Sequence, residues 1–442
     1  MSRKILFSPV GGTDPISAVN AYDGSLLHIC RYYKPDVVVL YMSAEVLEAQ
    51  EKDNRYKYCL QQLMELQHRE MEIAAVERPE LTEVQDFDFF YDDFREEIQK
   101  IYSGMEESDE LLINVSSGTP AMKSTLMVLG TFGEYPCRLI QVVTPAKKMN
   151  EHQHRDYDVE TLWELNEDNL PDAQNRCVEI NCPSLLKLKQ EEIIKQHIGV
   201  YDYQAALMIA ESMPKTYTGK YIDLLKIGDY RIQLQLSETD KLSRQAGINV
   251  FPVRDSNKRK YFEYALMLQI KLLRKEYADF IRALSPLIAD LFELILKNSC
   301  GIDVNDYCFV RGGLRKWDKY ILTGNDAAAN GIYNSILAEY SDFKGTGPVF
   351  SSQLLVIIQH HSTNTALLDV VGNLRDVESK VRNLAAHEIV SVTPEMIHRL
   401  TGYTPERIMR FVKNAFAYAG INVKTEYWNS YDDMNKMIMD SM

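Results

Sequence analysis

Hydrophobic and polar positions divide the chain into two parts with different periodicity. In the first part, short apolar runs alternate with amphipathic stretches, which is typical of a parallel sheet whose strands are joined by helices. The pattern predicts strands over residues 4–10, 36–43, 71–76, 110–115 and 138–144, and helices over 18–33, 44–70, 87–102 and 120–132. This order predicts a Rossmann-like unit.

From about residue 184 the apolar spacing is mostly helical. Helices are predicted over 185–198, 203–212, 220–236, 261–284, 287–297, 353–360, 367–384, 394–400 and 405–419. Residues 147–171, which are rich in acidic side chains, interrupt the periodicity and indicate a connector. We therefore predict an α/β plus all-α protein with a Rossmann-like domain over 1–170, a helical connecting region over 171–257 and a helical domain over 258–442.

Charge and composition exclude several classes of function. The chain has 442 residues, with 49 Lys+Arg against 63 Asp+Glu, and its net charge of -14 disfavours stable DNA binding. No apolar run approaches the roughly 18 residues of a membrane span, and the start has no signal-peptide pattern, so a cytoplasmic protein without membrane contact is expected. The seven cysteines include no Cys-x-x-Cys pair, and no metal site or cofactor is expected.

A polar segment follows the predicted strand 110–115 and opens the next helix, at the edge where parallel sheets bind ligands. Glycine allows close approach of the backbone, proline suits a first helical turn, and free N–H groups at a helix start favour an anion. Lysine adds positive charge one turn further on. The candidate phosphate-binding residues here are Asn114, Ser116, Ser117, Gly118, Thr119, Pro120, Met122 and Lys123.

The first predicted strand ends in a similar loop. Because parallel strands deliver their carboxyl ends to one edge, Gly11, Gly12, Thr13 and Asp14 can share a ligand with the second loop, and Thr144 can reach the same rim. The alternative is that both loops are ordinary turns capped by Ser, Thr, Asp and Gly. Neither loop carries a dinucleotide-binding or P-loop motif.

One helical stretch carries candidate catalytic residues. Leu374, Val377 and Val381 belong to an apolar stripe, whereas Asn383 and His387 lie four residues apart and project together. Arg382 can grip a phosphate and His387 can transfer protons near neutral pH, which suffices for metal-free RNA cleavage. In that hypothesis Asn383 orients the phosphate or the imidazole. The alternative is a solvated arginine and a packing histidine.

The two segments together resemble the CARF-HEPN ribonucleases of type III-A CRISPR systems, the Csm-six family. The strand-Ser-Ser-Gly-Thr-Pro-helix segment is similar to the CARF ligand loop, and Arg382-Asn383-x-x-x-His387 is similar to the HEPN catalytic motif. The resemblance spans essentially the whole chain.

The resemblance implies a homodimer in which two CARF domains bind a cyclic oligoadenylate and two HEPN domains form one RNase site. It favours the six-membered ring as activator, with the four-membered ring as the alternative, and single-stranded RNA as substrate. The expected products are 2′,3′-cyclic phosphate and 5′-OH ends, and degradation of the activator by the CARF domain is a further activity found in some relatives. Two alternatives without catalysis are a CARF-linked regulator and a HEPN interaction protein.

Overall fold

The computed structural model describes residues 2–133, 135–145, 157–219, 221–387 and 391–442, with side chains described for all of these except 382–387. The chain divides into two compact units, Met1–Lys189 and Gln190–Met442. The predicted order, an α/β part followed by a helical part, is confirmed. The three domain ranges given above stay predictions.

In the described residues, the first unit is built on one six-stranded sheet. Its strands are β1 (Lys4–Pro9), β2 (Val37–Ser43), β3 (Glu72–Arg78), β4 (Glu110–Asn114), β5 (Arg138–Val142) and β6 (Cys177–Ile180). The spatial order is β3-β2-β1-β4-β5-β6, and every neighbouring pair is parallel except β5 with β6.

Helices cover both faces of this sheet. They are α1 (Ser25–Tyr33), α2 (Ala44–Asp53), α3 (Arg55–Gln67), α4 (Phe87–Ser103), α5 (Pro120–Phe132) and α6 (Val159–Glu164). Side chains alternate between the faces, so that Leu6 joins one apolar core and its neighbour Phe7 joins the other. Both side chains are fully buried, as expected of a parallel sheet.

The second unit is mainly helical. A helix at the boundary, α7 (Pro183–Gly199), is followed by α8 (Tyr203–Ser212), α9 (Lys215–Thr218), α10 (Ile222–Ile232), α11 (Leu236–Gln245), α12 (Ser256–Leu273), α13 (Tyr277–Arg282), α14 (Leu284–Ser299), a hairpin of β7 (Cys308–Arg311) and β8 (Leu314–Trp317), α15 (Lys319–Leu322), α16 (Ala327–Glu339), α17 (Ser351–His361), α18 (Thr365–His387), α19 (Pro394–Thr401), α20 (Pro405–Ala415) and α21 (Ser430–Asp440). Short 3-10 helices cover Val304–Tyr307 and Thr425–Asn429 in this unit and Glu167–Asn169 in the first unit.

Some predicted elements were wrong in extent. The helix predicted over 18–33 begins only at Ser25, because Ala21 has a φ of 54° and an antiparallel bridge joins Ile16 to Asp23. The helix predicted over 44–70 is two helices that meet at Asn54, whose φ is 55°. The helices predicted over 220–236 and 261–284 are also broken, near Leu234 and Lys275 respectively, which both have positive φ.

Three strands were missed by the periodicity. Strands β6, β7 and β8 have four residues each, which is too short for alternation to stand out. No helix in the described ranges is both long and apolar enough to cross a membrane.

Candidate functional site

Two loops meet where the strand order of the sheet reverses. Strands β1 and β4 are parallel neighbours, but the chain leaves β1 toward β2 on one side and β4 toward β5 on the other. The carboxyl ends of two such strands flank the crevice in which open α/β sheets bind ligands. The loops 10–15 and 115–119, which contain most of the predicted ligand residues, therefore face each other.

Asp14 joins the first loop to the second. Its carboxylate accepts hydrogen bonds from the Gly11 N–H at 3.1 Å, from the Leu26 N–H at 3.0 Å and from the Ser117 hydroxyl. The side chain is only 2% exposed, and burial raises the pKa of Asp14, although the three donors oppose that shift. Three donors around one carboxylate fix the relative position of the loops.

Asn114 holds the end of β4. Its side-chain amide donates to the hydroxyls of Ser8 at 2.9 Å and Ser25 at 3.1 Å, and its carbonyl oxygen accepts from the Ser116 N–H at 2.9 Å. The Ser116 hydroxyl in turn accepts from the Val142 N–H at 2.7 Å. Asn114 is fully buried, so its hydrogen bonds hold the loop in its conformation.

Thr119 is the N-cap of α5. Its hydroxyl accepts from the Met122 N–H at 3.3 Å and donates to the Val84 carbonyl at 2.7 Å, while Pro120 occupies the first helical turn. Gly118 has a φ of 84°, and a Cβ on it would lie 2.8 Å from the sulfur of Met122. The turn therefore requires glycine at this position.

The surface left for a ligand is mostly main chain. A Cβ on Gly11 would lie 2.9 Å from the Gly118 nitrogen, so the two loops already touch there without a side chain. Of the other predicted ligand residues, Gly12, Pro120 and Thr144 are exposed, and Thr13 and Lys123 are half-buried. Backbone N–H groups at the start of α5, with Lys123 one turn later, suit an anionic group.

A separate cavity lies on the face of the sheet that α4 and α5 cover. It has a volume of about 180 Å³ and is lined by residues of α4, of β4 and of the carboxyl end of α5, among them Tyr91, Arg95, Phe132 and Cys137. Neither predicted ligand loop lines this cavity. The candidate ligand site is the surface between the loops.

Sequence reasoning missed a buried charged cluster behind the first loop. Asp23, His28 and Asp168 have donor atoms within 4.8 Å of one another, as in a metal site. Two arginines already occupy these carboxylates: Arg31 Nε lies 2.6 Å from Asp23, and an Arg176 nitrogen lies 2.5 Å from Asp168. The cluster is an ion-pair network. No sequence motif indicates it, because its members come from segments that are far apart in the chain.

The balance of charge in this network is visible at Asp168. Burial alone would raise the pKa of its carboxyl, but the hydrogen bond with His28 and the charge of Arg176 lower that pKa overall. His28 Nε2 accepts the Arg176 backbone N–H at 3.0 Å, so the ring joins the same network. These contacts attach Asp168 and Arg176 to Asp23 and to His28 of α1.

The candidate catalytic residues of the second unit lie at the end of α18. The stripe of Leu374, Val377 and Val381 is buried, as the spacing predicts. Arg382, Asn383 and His387 are in the same helix, but their side chains lie outside the described residues. Helical geometry places residues 383 and 387 on one face.

Contacts just before this motif fix the helix. Glu378, four residues before Arg382, accepts a hydrogen bond of 2.7 Å from the Ser351 hydroxyl at the start of α17. Glu378 is 6% exposed, and an Arg375 nitrogen lies 3.6 Å from its carboxylate. The Tyr403 hydroxyl donates to Asn373 at 2.7 Å.

Comparisons with known proteins cover both units. Residues 70–177 match the model of the Csm6 CARF domain, 180–232 that of the Csm6 6H domain, and 250–439 that of the Csm6 HEPN domain. The CRISPR system endoribonuclease Csm6 of Mycobacterium tuberculosis is 29% identical over 92% of this chain and 93% of its own length. The CRISPR system endoribonuclease Csm6 of Streptococcus thermophilus is 27% identical over 99% of each chain.

A solved structure shares the fold over the full length. Enterococcus italicus Csm6 bound to cyclic hexa-2′-fluoro-hexa-dAMP superposes with a TM-score of 0.69 and 20% identity, covering 100% of both chains.

Proposed function

The chain belongs to the Csm6 family of CARF–HEPN proteins, and we propose that it is an endoribonuclease that a cyclic oligoadenylate activates. The observation that carries the proposal is the match of residues 250–439 to the Csm6 HEPN domain, with Arg382 and His387 on one helix inside that range. Two full-length relatives named as endoribonucleases support the same activity.

The reaction we propose needs no metal ion. The ribose 2′-OH attacks the adjacent phosphate, the bond to the 5′ oxygen breaks, and the products carry a 2′,3′-cyclic phosphate and a 5′-OH. His387 transfers a proton to or from the reacting oxygens, and Arg382 stabilises the charge that develops on the phosphate. Asn383 orients the phosphate or the imidazole. DNA is not a substrate because it lacks the 2′-OH.

The activator site we propose is the surface between the two loops of the first unit. A cyclic oligoadenylate presents phosphates at regular intervals, and backbone N–H groups near Gly118 and Thr119 suit such an anion. Gly11, Gly12 and Lys123 complete the surface on either side. The ligand in the Enterococcus structure favours the six-membered ring, with the four-membered ring as the alternative.

Two copies of the chain complete the proposed enzyme. A twofold axis matches a ring-shaped ligand, and it brings two Arg-x4-His motifs into one RNase site. Activator binding then favours the competent dimer through contacts that differ between the two states. We place this dimer in the cytoplasm, with degradation of the activator in the CARF domain as a further activity.

The decisive experiment measures cleavage of labelled single-stranded RNA in EDTA, without activator and with cyclic tetra-adenylate, cyclic hexa-adenylate or linear hexa-adenylate. We expect one ring to stimulate cleavage and the 5′ fragments to carry a cyclic phosphate. Requirement for added Mg²⁺ would contradict the metal-free mechanism. Absence of stimulation by either ring in dimeric protein would contradict activation and favour a binding protein without catalysis.

A further inference from the structure

A β-hairpin projects from the helical unit. Strands β7 and β8 are antiparallel, and Gly312 and Gly313 connect them with φ values of 63° and 75°. Two positive φ angles in a two-residue loop define the tight turn that suits the twist of a hairpin. A tight turn of this kind holds the side chains of both strands in a fixed register.

The two faces of the hairpin differ in their contacts. On the inner face, Trp317 is 1% exposed and donates from its indole to Gln353 at 2.8 Å, and Arg315 is paired with Glu293. On the outer face, Phe309 lies opposite Lys316 and Arg311 lies opposite Leu314. The outer face thus presents apolar and cationic side chains together.

This surface is basic in an acidic protein. Residues 308–322 contain four Lys or Arg and one Asp, whereas the whole chain has a net charge of -14. In the part of the chain that the structure describes, Arg311, Lys316 and Lys319 have no acidic partner. Phe309 is 41% exposed, and Tyr320, next to Lys319, is 91% exposed.

The hairpin is attached near the motif-bearing end of α18. The backbone N–H of Trp317 donates to the Gly347 carbonyl at 3.0 Å, and the backbone N–H of Val349 donates to the Arg315 carbonyl at 3.0 Å. Two residues further on, Ser351 bonds to Glu378 of α18. Because a helix rises about 1.5 Å per residue, Arg382 follows Glu378 by about 6 Å along the axis.

We propose that the outer face of this hairpin, together with Lys319 and Tyr320, binds the single-stranded RNA substrate beside the catalytic helix. Arg311, Lys316 and Lys319 contact phosphates, and the two exposed rings stack on bases. Basic side chains next to aromatic rings are the usual means of holding single-stranded nucleic acid without sequence preference. The inference rests on the proposed ribonuclease function and assigns a substrate surface to it.

A second copy of the chain is a less favourable occupant. In a twofold contact through this face the same patch would meet itself, which would bring unpaired cations of both copies together. The phosphates of RNA supply the opposite charge, and release of their counterions favours binding.

The test uses the full chain carrying His387→Ala, so that RNA binds without being cut. Fluorescence anisotropy with labelled single-stranded RNA compares this protein with the same protein carrying Arg311→Ala and Lys316→Ala. We expect affinity to fall about tenfold or more, and the slope of log affinity against log salt to decrease in magnitude by about 1.4, or about 0.7 for each lost phosphate contact.

A matched control carries Lys195→Ala and Lys436→Ala, two exposed lysines of the same unit outside the hairpin. It removes the same charge, and we expect less than a twofold change in affinity. Equal losses in the two variants would overturn the proposal, because the effect would then be one of net charge alone. The Phe309→Ala variant, which keeps the charge, should weaken binding at least fivefold through lost stacking.

Two further measurements separate the explanations. In the protein with His387 intact, the Arg311→Ala/Lys316→Ala variant should raise KM and leave kcat nearly unchanged. A change of molar mass in light scattering would identify the face as a protein contact and overturn RNA binding there. Failure of the parent protein to cut RNA with either ring would instead contradict the proposed function. An unchanged KM in an active Arg311→Ala/Lys316→Ala variant would contradict only the proposal that the hairpin binds RNA.

Discussion

The ligand loops of the first unit and the hairpin of the second use polar side chains in opposite ways. In the loops, Asp14, Asn114 and Ser117 are buried, and their polar atoms bond to neighbouring loop and strand atoms. In the hairpin, Arg311 is exposed, and Arg311 and Lys316 are both without acidic partners among the described residues. The side chains of the loops therefore hold a rigid frame whose backbone groups are left to contact a ligand. The hairpin instead presents its side chains for contact.

This difference predicts how substitutions behave. A change inside the frame should alter the shape of the site and the stability of its unit together, since a buried partner is left unpaired. A change on the outer face of the hairpin should alter affinity alone, since exposed side chains away from special contacts contribute little to folding. Of the variants below, those at Asp14, Lys123 and Thr119 test the ligand site, whereas the Arg311→Ala/Lys316→Ala variant described above tests the hairpin.

The largest effect is expected for His387→Ala. Loss of the proton-transferring group should reduce RNA cleavage by about 10²- to 10⁴-fold. Activator affinity, measured by calorimetric titration, should stay unchanged because the proposed activator site lies in the other unit. Cleavage at the parent rate would remove His387 from the mechanism.

Asp14→Ala tests the frame. It deprives two backbone N–H groups and the Ser117 hydroxyl of their acceptor. At about 1–3 kcal/mol per unpaired group, we expect the free energy of unfolding to fall by at least about 3 kcal/mol. Urea unfolding measures the change, and Asp172→Ala, at an exposed aspartate of the same unit, is the control. Equal stability of both variants would mean that the loops do not depend on Asp14.

Lys123→Ala separates ligand binding from stability. A charge-assisted hydrogen bond to a phosphate contributes about 1.5–3 kcal/mol, so activator affinity should fall about tenfold or more. The half-buried Lys123 has no acidic partner in the described ranges, and the melting temperature should stay unchanged. Lys52→Ala, which removes an exposed charge on α2, should leave activator affinity as it is.

The smallest effect is expected for Thr119→Ser. Serine keeps the hydroxyl that caps α5 and donates to Val84, and surface changes of this size alter stability by less than about 0.5 kcal/mol. Activator affinity should change less than twofold. A large loss of affinity would show that the methyl group of Thr119, and not only its hydroxyl, touches the ligand.

Much of the first unit could be predicted because the central strands β1, β2 and β4 are runs of mostly buried apolar residues. Leu6 and Phe7 are both buried, and that is the pattern that a central parallel strand imposes. The breaks at Ala21 and Asn54 could not be predicted, since each depends on one residue with positive φ inside a stretch of helical spacing. Short strands such as β6 and β7 carry too few residues for a period to emerge.

The candidate ligand site shows the same limit. The predicted ends of the strands located both loops, because the carboxyl ends of parallel strands lie at one edge of the sheet. The sequence predicts that Ser117 and Thr119 bind a phosphate, whereas in the structure their hydroxyls donate to Asp14 and to the Val84 carbonyl. Such pairing depends on residues 103 and 35 positions apart, which no local pattern records.

The ion-pair network of Asp23, Arg31, Asp168 and Arg176 has a consequence for biosynthesis. The Asp23 N–H and the Asp168 carboxylate that accepts it, at 2.8 Å, are 145 positions apart. At about 5–20 residues per second, the ribosome needs about 7–30 seconds to add that length of chain. During this interval Asp23 and Arg31 have each other as partners, but the Asp23 N–H has no acceptor until Asp168 has been translated.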